Sequence, residues 1–473
     1  EMVIGLEVHV ELATKTKIFC GCTTKFGGAP NTHTCPGLHG HARNAAGGQQ
    51  KGRRVRRAAG LATNCEIARY NKFDRKNYFY PDLPKAYQIS QLYLPICRNG
   101  HVDIETAAGK KAVGIHEIHM EEDAGKLVHD PWLDGTMVDY NRCGVPLLEI
   151  VSEPDMRSAE EVIAYLTKLR QTLQYLGVSD CRMQEGSLRA DVNLSVRPVG
   201  QKEFGTRTEM KNINSFKAIA RAIAGEYRRQ VELIEDGGHV KQQTRRWDDN
   251  KDASFAMRSK ENAQDYRYFP EPDLPPLELS EAYIQALRAS QPELATAKRA
   301  RYQAAWGLGP YDAEMLTSQK ALARFFEETV ALGAEPKQAA NWLMGPVLAQ
   351  LSAHGLEARD MALTPPTLAR LIQLVKEGQL NRNTAVKVCE AVFETDGDVD
   401  AYVAAHGLAQ VSDAGLVAQV VEQVLSANEK SVADYRSGKE KAFGFLVGQT
   451  MRQLKGKADP KVVNQVIREK LEQ

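Results

Sequence analysis

Six side chains that could bind a metal ion lie within eight residues of this chain. The segment from His116 to Asp123 carries two histidines and four carboxylates, and Gly125-Lys126 follows it. Apolar residues such as Ile115 and Ile118 alternate with them, which is typical of a strand. Clustered carboxylates on a strand are costly unless a cation neutralises them, and oxygen ligands with one imidazole suit Mg²⁺ or Mn²⁺ better than zinc. The segment therefore predicts half of a divalent-cation site, although an exposed acidic surface is the alternative.

Three further segments alternate in the same way and carry polar residues on one face. They are 3–12, 186–197 and 205–211. If these strands are neighbours, the residues that converge are Glu7, His9, Glu121 or Glu122, Asp191 and Glu209. Strict alternation favours Glu121 as the ligand from the acidic segment, whereas a β-bulge in the Glu-Glu-Asp run would favour Glu122. The cations available to neutralise a transferred phosphate are Lys126, Arg189, Arg207 and Lys211. A P-loop sequence is absent, so any nucleotide site here is of another kind.

The cysteines fall into two classes. Cys20, Cys22 and Cys35 lie close together among glycines and prolines, which is the tight spacing of a structural zinc knuckle. His33, His39 or His41 would be the fourth ligand. The other five cysteines are scattered singly, as is typical of cytosolic thiols.

The composition of the chain and the position of its Pro-rich segment predict how it divides into domains. The net charge of +1 excludes a uniformly basic surface, so any nucleic-acid contact must come from a local patch. We find no apolar run of the roughly 20 residues that span a membrane. Strand-like and helical segments alternate up to the Pro-rich 269–277, with helices predicted at 158–177 and 215–238, and helical patterns such as 313–332 follow. We therefore expect an α/β mixed-sheet cradle domain (1–276), an all-α helical domain (277–400) and an all-α C-terminal tail (401–473).

Several long motifs resemble one known family. They include Gly5-Leu-Glu-Val-His9, Ile115 to Lys126, Asp139 to Ile150, Glu185-Gly-Ser-Leu-Arg189 and Glu209 to Phe216. The segments 72–91 and 265–276 complete the match. Together they resemble the B subunits of the glutamine-dependent aspartyl/glutamyl-tRNA amidotransferases, over nearly the whole chain.

This resemblance implies a kinase-like subunit of a three-subunit cytoplasmic ligase. The family uses ATP and Mg²⁺ to phosphorylate the side-chain carboxylate of Glu or Asp mischarged on tRNA(Gln) or tRNA(Asn), and ammonia then displaces the phosphate. An amidase A subunit supplies ammonia from glutamine, and a small C subunit holds the complex together. The mischarging aminoacyl-tRNA synthetase is a further expected partner, and a structural Zn²⁺ is an expected cofactor.

The resemblance also assigns roles to individual residues. It implies catalytic and magnesium-binding roles for Glu7, His9, Glu122 with Glu121 as its near neighbour, Asp191 and Glu209. Phosphate-binding roles fall to Lys126, Arg189 and Lys211. The expected lining of the substrate or ammonia path is Asp74, Lys76, Tyr80, Lys85, Tyr87 and Gln88. Lysines of the tail, namely Lys439, Lys441, Lys455 and Lys457, are expected to contact tRNA phosphates.

The segment after Cys35 departs from the family, which has another cysteine and then an amphipathic helix here. This chain has the Gly-, Arg- and His-rich residues 36–57, yet the spacing to Cys65 is intact. We hypothesise two compensating reading-frame errors. Codons for Gly37–Gln50 and Gly52–Arg57 read one nucleotide over restore family-like residues, with the missing cysteine at the position of Leu38.

Two other functions are consistent with parts of the sequence. A non-catalytic tRNA-binding or assembly subunit would use the carboxylates only structurally. A zinc hydrolase is disfavoured because the chain has no His-Glu-x-x-His motif and its acidic segments offer mainly oxygen ligands. The choice between Glu-tRNA(Gln) and Asp-tRNA(Asn) is not encoded in any pattern recognised in this chain.

Overall fold

The computed structural model describes residues 1–39, 57–130, 132, 134–259, 266–409, 414–454, 458 and 460–472. The chain divides into two compact units, Glu1–Leu294 and Ala295–Gln473. The first unit is built on a sheet of nine strands among the described residues, in the order β14-β13-β12-β11-β1-β10-β7-β6-β2. These strands are β1 (Met2–Glu11), β2 (Glu66–Ile67), β6 (Cys97–Thr106), β7 (Gly109–Glu122), β10 (Pro146–Ser152), β11 (Leu188–Val196), β12 (Thr208–Lys211), β13 (Gln243–Asp248) and β14 (Ala253–Ser259).

Strand β1 lies in the middle of this sheet and pairs antiparallel with β10 on one side and β11 on the other. Its apolar residues Ile4, Leu6, Val8 and Val10 are at most 1% exposed and face the core. Its polar residues point to the opposite face, because side chains of a strand alternate. The sequence pattern of this strand therefore produces one dry, apolar face and one polar face of the sheet.

Two helices cover the dry face, and both begin and end close to where the sequence predicts. Helix α1 (Ala159–Leu176) is capped by Ser158, whose side chain accepts from the backbone N–H of Glu161, and it ends at Gly177 with φ 67°. Helix α2 (Phe216–Glu235) is capped by Ser215. Their buried residues join the apolar face of the sheet in one hydrophobic core. The two helices therefore lie on the side of the sheet opposite its polar face.

Smaller sheets flank the large one. Strand β4 (Asp74–Asn77) pairs with β5 (Tyr87–Ser90) and with β15 (Phe269–Pro270). The hairpin β8 (Lys126–His129) and β9 (Thr136–Asp139) is separate. Strand β3 (Tyr70–Asn71) pairs with β16 (Leu277–Glu278), a two-residue strand just beyond Pro276, where the sequence predicts only helical patterns. Two residues are too few to show a period, so tertiary pairing decides this strand. Helix α3 (Glu281–Ala289) follows it.

The second unit is helical throughout its described secondary structure. Its α-helices are α4 (Ala295–Trp306), α5 (Pro310–Leu316), α6 (Lys320–Ala331), α7 (Pro336–Trp342), α8 (Leu348–His354), α9 (Pro365–Lys376), α10 (Arg382–Val392), α11 (Val399–Ala405), α12 (Ala414–Ala427), α13 (Glu429–Arg436), α14 (Glu440–Gln453) and α15 (Pro460–Glu472). A π-helical turn, Leu343–Val347, joins α7 to α8 around Pro346. Proline has no N–H for the regular helical bond, and the wider turn accommodates it.

The expected fold class, a mixed-sheet domain followed by all-α regions, is confirmed. One predicted helix, 313–332, is instead two, because the chain leaves helical geometry at Thr317 and Gln319. The helical unit holds two hydrophobic cores, one spanning Tyr302 to Val403 and one spanning Val417 to Leu471. Among the described helices, none combines the length and apolarity needed to cross a bilayer.

Candidate metal and phosphate site

The polar face of the large sheet gathers the predicted residues in rows that cross the strands. Glu7 lies directly opposite Asp191, and His9 lies directly opposite both Glu149 and Arg189. Glu149 in turn lies opposite His119. Directly paired residues of antiparallel strands share a face and place their side chains about 5 Å apart. The rows therefore produce two neighbouring groups of metal-ligand atoms.

The first metal group consists of His9, Glu121 and Glu149, whose ligand atoms all lie within 4.8 Å of one another. His9 Nε2 is 3.6 Å from Glu149 Oε2 and 3.9 Å from Glu121 Oε1. One imidazole with two carboxylates is a donor set that suits Mg²⁺ or Mn²⁺. Ser90 Oγ of β5 lies 3.4 Å from Glu121 Oε2, so the small sheet that contains β4 and β5 covers this group.

The pKa values of the two carboxylates in the first metal group are shifted in opposite directions. Burial and the charge of Glu149 raise the pKa of Glu121 above its ordinary value. Burial also raises the pKa of Glu149, but the charges of His119 and His9 outweigh burial and hold this pKa well below the usual range. His119 Nε2 is 2.8 Å from Glu149 Oε2. A metal cation beside these carboxylates would relieve the repulsion that remains between them.

The second metal group consists of Glu7, Asp191 and Glu209, again within 4.8 Å of one another. Lys211 Nζ lies 2.5 Å from Asp191 Oδ2 and 3.4 Å from Glu209 Oε1. Thr244 of β13 donates to Glu209 Oε2 at 2.8 Å and orients it. Burial lowers the pKa of Lys211, but the charges of Asp191 and Glu209 outweigh it and raise the pKa above its ordinary value.

Asn193 supplies an observation that fits a cation in the second metal group. Its Nδ2 donates to Glu7 Oε1 at 3.0 Å, and it lies directly opposite Glu209. Its Oδ1 is buried and accepts no hydrogen bond from the described residues. An acceptor oxygen buried among carboxylates, with no donor, is costly. Both amide and carboxylate oxygens can bind Mg²⁺ or Mn²⁺, so the residues present suit such an ion.

The two metal groups are neighbours along β1. Glu7 and His9 are two residues apart on this strand, which separates their backbones by about 7 Å. The two groups would therefore hold cations side by side along this strand.

Glu121 and Glu122 point to opposite faces of the sheet, so only one of them, Glu121, belongs to the first metal group. Strand β7 keeps its alternation through Glu122, and its pairing with β10 skips His116 instead. Glu122 turns away from the first metal group and accepts from Lys85 Nζ and, at 3.1 Å, from the backbone N–H of Ile89. The bulge that we considered for the Glu-Glu-Asp run instead lies at His116, five residues before this run begins.

The predicted phosphate-binding residues are distributed unequally. Lys211 lies at the second metal group, as described above. Arg189 Nη1 is committed to Asp123 Oδ2 at 2.9 Å. Burial and the charge of Asp123 raise the pKa of the nearby Glu11 to about 8. Lys126 is exposed on the β8–β9 hairpin, and no hydrogen bond or ion pair within the described part of the chain links its side chain to either metal group.

The expected path-lining residues lie on or beside the small sheet, in different environments. Asp74 is buried and accepts from the backbone N–H of Leu92 at 3.1 Å, so its contacts are structural. Tyr80 is 45% exposed. The ring of Tyr87 lies under the Arg75 guanidinium at 4.3 Å and under Lys85 Nζ at 5.1 Å.

Sequence reasoning missed Glu149 and did not assign Asn193. Glu149 lies between the buried residues Leu148 and Ile150, so the period of two could have identified it. It belongs to the motif Asp139 to Ile150, which by itself assigns it no role. Asn193 falls correctly on the polar face, but its unsatisfied oxygen is visible only in three dimensions.

Cys20, Cys22 and Cys35 form a third cluster, with their sulfur atoms within 4.8 Å of one another. Burial raises the pKa of Cys35, but backbone N–H groups of Leu38 and Gly37 point at its sulfur and lower the pKa overall. Such N–H groups favour a thiolate, the form that binds zinc. Lys17 is 2% exposed nearby and would balance the excess negative charge of three thiolates around Zn²⁺.

The fourth zinc ligand is not supplied by this group of described residues, which comprises the three cysteines alone. Leu38 is buried beside Cys20, where both line one pocket. His41 and most of the atypical segment, 40–56, lie outside the described residues. The hypothesis of reading-frame errors therefore stays a hypothesis.

The predicted tRNA-contacting lysines are only partly described. Lys439 Nζ lies 2.8 Å from Asp434 Oδ1. Lys441 is exposed near the start of α14. Lys455 and Lys457 lie outside the described residues.

Comparisons with known proteins identify the family. Residues 2–285 match the family model described as the GatB/GatE catalytic domain, and residues 324–471 match the GatB domain. A relative from Lachnoclostridium phytofermentans, named as the B subunit of aspartyl/glutamyl-tRNA(Asn/Gln) amidotransferase, is 62% identical over 471 residues, covering 100% of this chain and 98% of the relative. A relative of the same name from Agathobacter rectalis is 59% identical, covering 100% and 99%. The resemblance predicted from the motifs is confirmed, and the chain belongs to the family of aspartyl/glutamyl-tRNA(Asn/Gln) amidotransferase B subunits.

Proposed function

We propose that this chain transfers the γ-phosphoryl group of ATP to the side-chain carboxylate of Glu or Asp mischarged on tRNA(Gln) or tRNA(Asn). The phosphorylated side chain is then amidated with ammonia released from glutamine. The observation that carries this proposal is the pair of metal groups side by side on one sheet face, with Lys211 against one of them. The names of the relatives support the substrate class.

The chemistry requires activation because a carboxylate resists attack by ammonia. A side-chain carboxylate oxygen attacks the γ-phosphorus, and the bond from this phosphorus to the ADP oxygen breaks. Ammonia then attacks the carbonyl carbon, inorganic phosphate leaves, and the amide loses a proton to solvent or a nearby base. Catalysis of the first step depends on positioning and charge neutralisation.

The described residues divide these tasks. Mg²⁺ held by His9, Glu121 and Glu149 and by Glu7, Asp191 and Glu209 would neutralise the anionic oxygens of both substrates. Lys211 places an ammonium beside the second group without needing any ion. Thr244 and His119 orient Glu209 and Glu149 through hydrogen bonds.

The proposed setting is a cytoplasmic complex with an amidase A subunit and a small C subunit. Glu-tRNA(Gln), Asp-tRNA(Asn) or both are the substrates, and the synthetase that mischarges them is a further partner. The three-cysteine cluster would hold a structural Zn²⁺, which supports the fold and does not enter the reaction. The lysines of the tail bind tRNA phosphates in this proposal.

ATP hydrolysis by the reconstituted complex tests the proposal against a non-catalytic role. We expect mischarged Glu-tRNA(Gln) to stimulate release of ADP, and correctly charged Gln-tRNA(Gln) to have no such effect. Glutaminase activity of the complex, measured separately, shows that the amidase is intact. Tight tRNA binding without stimulated ADP release would instead support an assembly role.

A further inference from the structure

Two cations flank the paired metal groups at opposite ends, and each differs from the cations already paired with carboxylates. Lys76 lies at the end of the first metal group, and Arg246 lies at the end of the second. Neither has a carboxylate within ion-pair distance among the described residues. A cation left unpaired beside an acidic site is available to an anionic ligand.

Lys76 lies on the face of the small sheet that covers the first metal group, since Ser90 on the same face of β5 lies 3.4 Å from Glu121 Oε2. It pairs with Gln88 across β4 and β5, and Gln88 Nε2 donates to the backbone oxygen of Glu122 at 2.7 Å, which fixes this face of the small sheet against the end of β7.

Tyrosines enclose the Lys76 ammonium. Its Nζ lies 5.0 Å from the ring centroid of Tyr266 and 5.9 Å from that of Tyr78. Tyr266 also packs edge-on against Tyr268, with ring centroids 6.1 Å apart. Burial raises the pKa of Tyr268 to about 12, so its hydroxyl stays a hydrogen-bond donor. Lys76 and these tyrosines are half-buried, so this end, called the enclosed end below, presents an ammonium flanked by aromatic rings and hydroxyls.

The opposite end is open. Arg246 lies directly opposite Lys211 in the parallel pairing of β12 and β13, and Thr244 two residues earlier already reaches Glu209 from the same face. The Arg246 guanidinium is exposed and rests over the Phe255 ring at 5.6 Å. Lys211 is 33% exposed beside it, above the carboxylate of Glu209, which is as little exposed as that of Glu121, at 5%.

We propose that the site is polarised along β1, with the acceptor carboxylate bound by Lys76 at the enclosed end and the ATP phosphates bound by Arg246 and Lys211 at the open end. This proposal rests on the proposed function. A side-chain carboxylate is small and carries one charge, so an enclosed ammonium suits it. A triphosphate is bulky and carries several charges, so it needs the open end and the bidentate fork of an arginine.

Substrate-specific constants of the reconstituted three-subunit complex test this polarity. The variants are Lys76→Met and Arg246→Ala. The controls are Lys110→Met and Arg228→Ala, because both control residues are exposed and their side chains make no hydrogen bond or ion pair with the described residues. The measurements are the Kd of ATP by equilibrium binding with Mg²⁺, the KM of Glu-tRNA(Gln) in phosphoryl transfer, and the Kd of uncharged tRNA(Gln).

We expect Lys76→Met to raise the KM of Glu-tRNA(Gln) about tenfold and to leave the Kd of ATP within about twofold. Arg246→Ala should do the reverse, and Lys76→Arg should recover part of the loss by restoring charge. Binding of uncharged tRNA(Gln) should stay the same in all variants, which also shows that they fold.

The polarity is overturned if the two variants affect the opposite constants, the same constant, or neither constant. Failure of the proposed function gives a different result: the wild-type complex then phosphorylates no mischarged tRNA. The Kd of ATP still reports on Arg246 in that case, so the two failures are distinguishable.

Discussion

Glu121 and Glu122 are neighbours in the chain, yet their carboxylates serve opposite faces of the central sheet. Glu121 lies within 3.9 Å of His9 in the first metal group, whereas Glu122 accepts from Lys85 on the other face. Both carboxylates are nearly inaccessible, at 5% and 3% side-chain exposure. These adjacent glutamates therefore have different partners, and replacing each of them should affect a different property of the protein.

Replacing these two acids should separate catalysis from stability. We expect Glu121→Gln to abolish phosphoryl transfer while the unfolding midpoint changes little, because the variant removes a repelling charge. Glu122→Gln should leave Lys85 buried without its counter-charge and lower the free energy of unfolding by about 3 kcal/mol. Urea denaturation and phosphoryl transfer measure the two effects.

A double variant serves as the control for this assignment. Glu122→Gln combined with Lys85→Met should be more stable than Glu122→Gln alone, because no unpaired charge remains. Equal stability of the single and double variants would contradict the buried ion pair as the cause.

Asn193 should contribute to metal affinity. We expect Asn193→Leu, which keeps the volume but removes the buried Oδ1, to weaken binding of Mn²⁺ at the second metal group by about tenfold. Electron paramagnetic resonance of free Mn²⁺ during titration measures this affinity without turnover. Ser195→Ala, two residues along the same strand, is the matched control. Unchanged Mn²⁺ affinity in Asn193→Leu would show that the Asn193 amide does not contribute to metal binding.

Glu226 predicts a pH-dependent contribution to stability. Its buried carboxylate accepts from Thr208 at 2.7 Å and from Arg229 at 2.6 and 2.9 Å. Burial raises its pKa, but these hydrogen bonds and that of Gln230 outweigh burial and lower the pKa below the ordinary value of 4.5. The stabilisation is therefore complete above the unfolded pKa and is lost as the pH falls through the folded pKa.

The matching variant is Glu226→Gln. It should unfold more easily than wild type at pH 7, by about 3 kcal/mol, and the difference should shrink steadily as the pH is lowered below about 4.5. Urea titrations across this pH range measure it. A difference that grows in acid would contradict the lowered pKa.

Leu38 should limit zinc binding at the three-cysteine cluster. We expect Leu38→Cys to tighten Zn²⁺ binding by more than about tenfold, because a fourth thiolate closes the tetrahedron. Competition with a colorimetric chelator measures the affinity, and Cys35→Ser should abolish it. Equal affinity for wild type and Leu38→Cys would mean that another residue already closes the site.

Resequencing the gene tests the origin of this segment directly. Two compensating frame errors should appear as one inserted and one missing nucleotide flanking the codons of Gly37–Arg57. Clean in-frame codons would refute the hypothesis and make Leu38 native.

Salt dependence should distinguish the tail lysines. Lys441 is exposed, whereas Lys439 forms an ion pair with Asp434 at 2.8 Å. We expect Lys441→Ala to reduce the slope of log affinity for tRNA against log salt by about 1, and Lys439→Ala to reduce it by less. Filter binding at several salt concentrations measures both slopes. Identical slopes for wild type and Lys441→Ala would place the tRNA elsewhere.

The parts of the site that lie on single strands were predictable from sequence, and the parts that depend on pairing between distant segments were not. A period of two places Glu7 and His9 on one face of β1, and the same rule applied strictly selects Glu121. Lys76 and Tyr266, by contrast, are 190 residues apart and meet only because Phe269–Pro270 pairs with β4. Local patterns carry no information about such a contact.

Transfer of ³²P from γ-labelled ATP to Glu-tRNA(Gln) by the reconstituted complex, for wild type and Glu209→Ala, tests the central claim most directly. Binding of tRNA is measured in both. We predict that Glu209→Ala loses phosphoryl transfer and retains tRNA binding, because it removes one of three carboxylates of the second metal group. Unchanged transfer would contradict the account, since these carboxylates would then be scaffold and the kinase centre would lie elsewhere.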